Sequence, residues 1–224
     1  MSPAATPAAA PLEVGPLRLW TPVVLAPMAG VTDVPFRRLC RLMGESGLPD
    51  SLRPTDAPSR AGGPSQGATA SAPSALGACA QRRTRRVPVP RVDAPAGLYV
   101  TEMVTSRALV EGNERTLEMV RPDPCERVRS LQLYGVDPAV MARAAAMLVE
   151  RDLTDHIDLN FGCPVPKVTK KGGGAALPWK RDLFTDLVGA VVSACEQAGE
   201  RAGREIPVTV KIRSEEHTSE LQSR

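Results

Sequence analysis

The chain has 224 residues, with 28 lysines and arginines against 25 aspartates and glutamates, a net charge of +3. Its 42% hydrophobic and 24% charged residues are ordinary for a globular protein, which excludes a wholly disordered or collagen-like chain. No run approaches the roughly 18–20 apolar residues of a membrane span, and so small a net charge does not by itself announce nucleic-acid binding. The 22 prolines, 18 glycines and 3% aromatics mark part of the chain as unpacked. Residues 1–14 have neither a basic stretch nor a continuous apolar one, so they are expected to form a flexible tail and not a signal peptide. The cysteines, Cys40, Cys79, Cys125, Cys163 and Cys195, share no metal-ligand or C-x-x-C spacing. An odd, scattered set argues against a disulfide framework and fits a reducing cytoplasm.

Val23–Leu25 is the first predicted strand and is expected to be buried. Asp33 can cap a helix whose first turn accepts Pro35. That helix carries Phe36, Leu39, Cys40 and Met43 at helical spacing and is expected to stop at Gly44. Residues 46–96 are rich in Pro, Ala, Ser, Gly and Arg, with no hydrophobic period. They cannot bury enough apolar surface to offset their ordering entropy and are expected to be a disordered insertion. Its run Arg82-Arg83-Thr84-Arg85-Arg86 suits either RNA phosphates or plain solvation. Beyond it come a strand at Leu98–Val100, a mostly helical stretch from Thr105 to Val120, and a strand at Val128–Leu133. Asp137-Pro138 then opens an amphipathic helix with Val140, Met141, Ala144, Met147 and Leu148 on one face. A strand at His156–Leu159, a helix at Asp182–Ala202 stopped by Gly203, and a strand at Val208–Ile212 follow. Strands alternating with helices predict an α/β fold with a parallel sheet. Two closures are open, a doubly wound sheet or a (β/α)8 barrel. A barrel needs eight strands and about 250 residues, so this chain holds only about the first five units of one. Residues 213–224, RSEEHTSELQSR, lack from Ser214 on the Ala, Gly, Pro and Val that dominate upstream. They resemble a translated sequencing adapter and are expected to be a non-native tail, the alternative being a polar terminus.

Four features could carry chemistry. The segment Leu25–Thr32 runs from a strand into a turn of small residues, at the strand end where α/β folds bind ligands; small side chains let backbone approach a flat ring. Asp158-Leu159-Asn160-Phe161-Gly162-Cys163-Pro164 is again a strand running into a polar loop. Cys163 suits either a buried small side chain or a catalytic thiol. The loop after it holds Lys167, Lys170 and Lys171 beside Gly172, Gly173 and Gly174. It matches neither the P-loop nor the Rossmann spacing and suits a solvated loop or a basic lip for phosphates. Gln132 and Lys211 lie at strand ends; a glutamine offers donor and acceptor to an imide edge, and a buried lysine is costly unless partnered. With His156 and His217 the only histidines, no metal site and no Ser-His-Asp triad is expected.

Together these residues resemble the tRNA-dihydrouridine synthase family, flavin enzymes on a (β/α)8 barrel. The strings APMAGVTDVPFR, TEMV at Thr101–Val104, LQLYG, DLNFGCPVPKV and VTVKIR occur in that family's order and spacing once the insertion is removed. The resemblance covers residues 15–45 and 97–212, a partial flavin barrel. It implies that Pro27, Met28 and Ala29 hold the FMN ring through backbone contacts, and that Gln132 and Lys211 bond its polar edge. Cys163 is then the general acid, Asn160 contacts the target uracil, and Lys167, Lys170 and Lys171 meet tRNA phosphates. The implied reaction is reduction of specific tRNA uridines to 5,6-dihydrouridine, with NADPH as reductant and tRNA the partner of a cytoplasmic monomer. An ordinary thiol, with a pKa of about 8.5, is mostly protonated at pH 7 and can give uracil C5 its proton after hydride reaches C6. The family's downstream His-Gly-Arg motif, glycine-rich phosphate loops and helical tRNA-binding domain are missing, so the chain is expected to be an incomplete fragment of the active enzyme. The insertion would lie on the amino-terminal face, away from the chemistry. Two other readings stand beside this one: an FMN barrel acting on a free pyrimidine or enone, and a non-catalytic RNA-binding remnant.

Overall fold

The computed structural model describes residues 10–53 and 92–213. Strands β1 (Leu12–Val14) and β2 (Leu17–Leu19) form a hairpin, and β3 (Val24–Leu25) follows. Helix α1 (Val34–Ser46) comes next, then β4 (Val92–Ala94), which pairs in parallel with β2 and completes a small three-stranded sheet. The main body continues with β5 (Leu98–Thr105), the short helices α2 (Ser106–Val110) and α3 (Glu114–Met119), and β6 (Ser130–Tyr134). After these come α4 (Pro138–Glu150), β7 (His156–Phe161), a single turn α5 (Pro166–Thr169), α6 (Arg181–Ala202) and β8 (Val208–Ile212).

The five strands β3, β5, β6, β7 and β8 lie side by side in that order, every neighbouring pair parallel. A parallel pair needs a crossover, which α4 supplies between β6 and β7 and α6 between β7 and β8. The order never reverses, as it must in a doubly wound sheet; the sheet curls as a half-barrel, which decides between the two closures. Side chains alternate across each strand. Leu131, Leu133, Ile157, Leu159 and Phe161 pack against Met141, Ala144, Ala145 and Leu148 of α4 and Leu187, Val191 and Ala198 of α6, forming the main core. The residues between them, Ser130, Gln132, His156, Asp158, Asn160, Thr209 and Lys211, fall on the other face.

Helix α4 starts where expected, with the Asp137 carboxylate accepting from the Val140 N–H at 3.1 Å, and α6 ends on Gly203 in the left-handed conformation, φ +67°. Other expectations need correcting: the strand expected to be buried at Val23–Leu25 is an edge strand among the described residues and leaves Val23 and Val24 57% and 50% exposed. Helix α1 is capped by Asp33 as predicted but runs past Gly44 to Ser46. The face expected to be buried is largely outside: Leu39 and Met43 are 54% and 63% exposed, whereas Arg37 is 2% exposed. The reason is electrostatic. Arg37 reaches Glu126 at 2.6 Å and the Thr32 carbonyl at 2.7 Å, and Arg38 forks onto the buried Asp123 at 2.7 and 3.1 Å. The loop before β6 therefore takes the arginine side of the helix. Burial alone would raise the Asp123 pKa, but its hydrogen bonds and the charges of Arg38 and Arg41 hold it below the usual value.

The helical stretch from Thr105 to Val120 is two helices, separated by Gly112 at φ +76° and restarted by the Asn113 side chain, which accepts from the Thr116 N–H at 3.1 Å. Ordered structure reaches beyond the expected borders. β1 lies within the stretch read as a flexible tail, and β4 within the one read as an insertion. Residues 54–91, most of that insertion, and 214–224 lie outside the described residues. Cys40, Cys163 and Cys195 are free, whereas Cys125 is disulfide-bonded, which the scattered cysteine pattern did not lead one to expect. Among the described residues no helix is long and apolar enough to cross a membrane.

Candidate functional site

The inner face of the sheet is polar and cross-linked. Strand register sets Gln132 of β6 level with Asp158 of β7, Asp158 level with Thr209 of β8, and Asn160 level with Lys211. The Thr209 hydroxyl donates to Asp158 at 2.7 Å, so its oxygen is left to accept from His156 Nε2 at 3.0 Å. That fixes the histidine tautomer, and His156 Nδ1 then accepts from the Ser130 hydroxyl at 2.7 Å. On the other side Asp158 accepts from Gln132 Nε2 at 2.5 Å, and Gln132 Oε1 accepts from Asn160 Nδ2 at 3.0 Å. A continuous chain of hydrogen bonds thus runs from Ser130 to Asn160. Such closure is what buried polar groups require, since an unmade bond there costs about 1–3 kcal/mol.

Burial governs titration along this chain. The carboxyl of Asp158 is pushed up by burial, against the Thr209 and Gln132 hydrogen bonds and the charge of Lys211. Burial lowers the His156 pKa from 6.5 to about 4. His156 is therefore neutral in the fold, while in the unfolded chain it takes up a proton as pH drops through 6.5. Its contribution is fully present above that pH and is lost progressively toward pH 4, about 3 kcal/mol in all. Asp158 acts the other way, because a raised carboxyl pKa removes stability as pH rises above its unfolded value. The comparison that isolates the histidine is urea unfolding of the native chain and a His156→Gln variant. The native chain is expected to lose about 3 kcal/mol more between pH 6.5 and 4, and parallel curves would refute the assignment.

At the carboxyl ends of the strands the chain of bonds reaches the Cys163 loop. Asn160 Oδ1 accepts from the Gly162 and Cys163 N–H groups at 3.1 and 3.0 Å, folding the backbone back over the end of β7. The Cys163 carbonyl accepts from the Ala175 N–H at 3.0 Å. Gly174 is at φ +55°, and a Cβ there would lie 2.4 Å from that carbonyl, so only glycine permits the contact. Cys163 is held half-buried on a loop pinned from both sides. Pro27, Met28 and Ala29 form the turn after β3, closed by N–H bonds from Val31 and Thr32 to the Met28 carbonyl at 3.1 and 3.0 Å; Gly30 donates to the Glu102 carboxylate.

Of the residues singled out from the sequence, the structure links Gln132, Asn160 and the Cys163 backbone directly and sets Lys211 beside Asn160. Pro27–Ala29 occupies the end of a strand two places along the sheet from β6. Lys167, Lys170 and Lys171 are exposed on the loop that follows Cys163. Asn160 carries a role beyond the expected one: Nδ2 also donates to Met103 Sδ at 3.1 Å, so every hydrogen-bonding position of its amide is taken. It scaffolds the Cys163 loop, and a direct contact to a base requires one of those bonds to be released. Gln132 is wholly buried, with one N–H and one lone pair still uncommitted. Sequence reading missed His156, Asp158 and Thr209 as members of the site. The alternation along β7 puts His156 and Asp158 on the face of Asn160, but Thr209 joins only through the register of β8. Among the described residues no group of three His, Cys, Asp or Glu side chains could hold a metal ion.

Residues 24–223 match the model of the family described as dihydrouridine synthase. The chain is 45% identical over 202 residues to a protein of Mycobacterium tuberculosis (strain H37Rv) named "Probable tRNA-dihydrouridine synthase", covering 90% of this chain and 39% of that one. It is 47% identical over 203 residues to the protein of that name from Mycobacterium leprae, covering 89% and 45%. It is 31% identical over 203 residues to "tRNA-dihydrouridine synthase B" of Pseudomonas aeruginosa, covering 91% and 43%. The chain thus spans less than half the length of these relatives.

Proposed function

The chain belongs to the dihydrouridine synthase family, and from that premise we propose that it is the amino-terminal part of the catalytic barrel of an FMN-dependent enzyme that reduces uridines of tRNA to 5,6-dihydrouridine. The observation that carries this reading is the Cys163 loop, pinned by Asn160 and Ala175 at the carboxyl end of β7 and set beside Lys211 and Gln132. Partial-barrel status is supported by the sheet edges at β3 and β8, open among the described residues, and by the exposed Val23, Val24, Leu39, Leu42 and Met43. The remaining length of such a protein would supply the other strands and cover that apolar surface.

The donor set fits a flavin. Lys211 is half-buried at a strand end and forms no ion pair with a described residue, so its ammonium is available to an anionic partner. Gln132 offers its remaining N–H to the ring's polar edge, and the Pro27–Ala29 turn brings backbone close to a flat ring. FMN, when bound, supplies the hydride that adds to uracil C6, and NADPH restores it between rounds. Lys211 favours negative charge at the polar edge of the ring. Cys163 gives its thiol proton to C5 of the substrate enolate, which completes addition of two hydrogens across the C5=C6 bond. The uridine must leave its stack to reach this end of the sheet, and Lys167, Lys170 and Lys171 are placed on the adjoining loop to hold the backbone phosphates.

The test is an assay with FMN, NADPH and two substrates, unmodified tRNA and free uridine, on the chain extended to the relatives' length. Loss of uridine absorbance in tRNA alone is the expected result. Equal turnover of free uridine would replace this reading by a free-pyrimidine reductase, and failure to retain FMN would remove the flavin chemistry altogether.

A further inference from the structure

Between Leu159 and Asp182 the sequence holds Lys167, Lys170, Lys171, Lys180 and Arg181 and no acidic residue. All five are exposed, and none is ion-paired to a described residue. Several arginines elsewhere are neutralised, Arg37 by Glu126, Arg38 by Asp123, and Arg129 and Arg204 by Asp155. In the middle of this uncompensated stretch stands Trp179, 70% exposed, the most exposed large apolar side chain among the described residues. The segment that carries it is ordered. Leu177 beside it is fully buried, the Lys180 N–H donates to the Leu177 carbonyl at 2.9 Å, and the Ala175 N–H ties the same turn to the Cys163 carbonyl. The Lys180 ammonium lies against Gly172, since a Cβ there would come within 2.2 Å of Nζ; this sets Lys180 beside the Lys170-Lys171 pair.

We propose that Trp179, flanked by Lys180 and the lysines of the Cys163 loop, is a stacking platform for a base of a single-stranded RNA segment, next to the nucleotide presented to Cys163. The proposal rests on the reading of the site as a uridine reductase and adds a residue that this reading does not use. Two physical points favour this occupant. An indole face and nearby ammonium groups together match one base and its phosphates, the combination by which single strands are held. When the target uridine leaves its stack, the neighbouring base also loses a stacking partner, and an exposed indole can replace it. A protein–protein contact is the poorer fit, because the centre of such an interface is depleted in lysine.

The test uses the 224-residue chain with Trp20→Phe, which leaves Trp179 as its one tryptophan. The probes are a single-stranded 12-mer of uridylate and an RNA duplex of the same length. Quenching of the indole by the single strand and little by the duplex is expected. Trp179→Leu, made in the native chain, should weaken single-strand binding by about 5- to 100-fold, whereas Trp179→Phe keeps most of it. Replacing Lys170, Lys171 and Lys180 by alanine should flatten the salt dependence by about 0.7 for each phosphate no longer neutralised. No RNA binding, no quenching on binding, or equal affinity of Trp179→Leu and the native chain would each overturn the platform. A self-association that Trp179→Leu abolishes, with RNA binding unchanged, would assign the indole to a contact between copies. FMN retention by the chain extended to the relatives' length separates the two ideas: retained FMN there, with RNA binding indifferent to Trp179, sinks only the platform. RNA binding through Trp179 with no FMN retained by that extended chain sinks only the reductase.

Discussion

Asp155→Ala is expected to lower the unfolding free energy by about 3–5 kcal/mol, as removal of one partner of a buried ion pair does. Asp155 stands just before β7, at the amino-terminal end of the strands. One carboxylate oxygen accepts from the Arg129 backbone N–H and from Arg129 Nε, both at 2.9 Å. The other accepts from Arg129 Nη2 and from Arg204 Nη1, both at 3.0 Å. Burial alone would lower the Arg129 pKa; the bonds and charges of Asp155 and Asp152 more than reverse it, so the guanidinium remains charged. Without Asp155 that buried charge keeps only Asp152, whose side chain is 61% exposed and screened by water. The control follows from the same numbers. Asp152→Asn retains an acceptor and tolerates the left-handed backbone at this position, φ 52°, and should cost less than about 1 kcal/mol. Urea unfolding of the two variants decides; equal losses would show that exposure does not set the value of these pairs. Because the cluster lies at the strand ends opposite Cys163, it serves stability and leaves the chemistry untouched.

Cys163→Ala is expected to lower uridine reduction by about 10²- to 10⁴-fold, the usual worth of a positioned general acid, with FMN binding unchanged. The loop does not depend on the thiol for its shape. Its Cys163 N–H is held by Asn160 and its carbonyl by Ala175, both through backbone atoms that alanine retains. Cys163→Ser should behave similarly, since a hydroxyl is a far weaker acid than a thiol. Single-turnover kinetics on tRNA, in the chain extended to the relatives' length, separates hydride transfer from protonation. Native-like turnover in Cys163→Ala would remove the residue from the mechanism. Loss of FMN from the same variant would show that the loop holds the cofactor and not the proton.

The contrast between α1 and α4 shows how far sequence reading reaches. Both helices begin with an aspartate cap and an early proline, and both starts were legible. In α4 the apolar stripe faces the sheet, because Leu131, Leu133, Ile157 and Leu159 lie behind it. In α1 the stripe is turned outward, because Asp123 and Glu126, more than eighty residues away in sequence, hold Arg37 and Arg38. Nothing in the local periodicity of α1 carries that information. The three-residue strands β1, β2 and β4 were missed for a related cause: so short a strand has too little alternation to be seen, and its partners are chosen by tertiary packing.

The candidate site divides in the same way. Cys163, Gln132 and Lys211 were recognisable because each follows or ends a short strand, where an α/β fold exposes its functional groups. The role of Asn160 as the clamp of the Cys163 loop, and the links from Gln132 through Asp158 and Thr209 to His156, depend on which rung of one strand faces which rung of the next. By itself the sequence determined the order of the five main-sheet strands and the helices between them, the aspartate caps of α1 and α4 and the candidate segments for chemistry, since these follow from local periodicity and from single residues with restricted backbone geometry. Tertiary structure alone decided the register of the parallel strands, the buried hydrogen-bond chain and the side of α1 that is covered. Each of those depends on pairing groups distant along the chain, and the free energy of a buried polar group is set by the partner it meets, not by its neighbours in sequence.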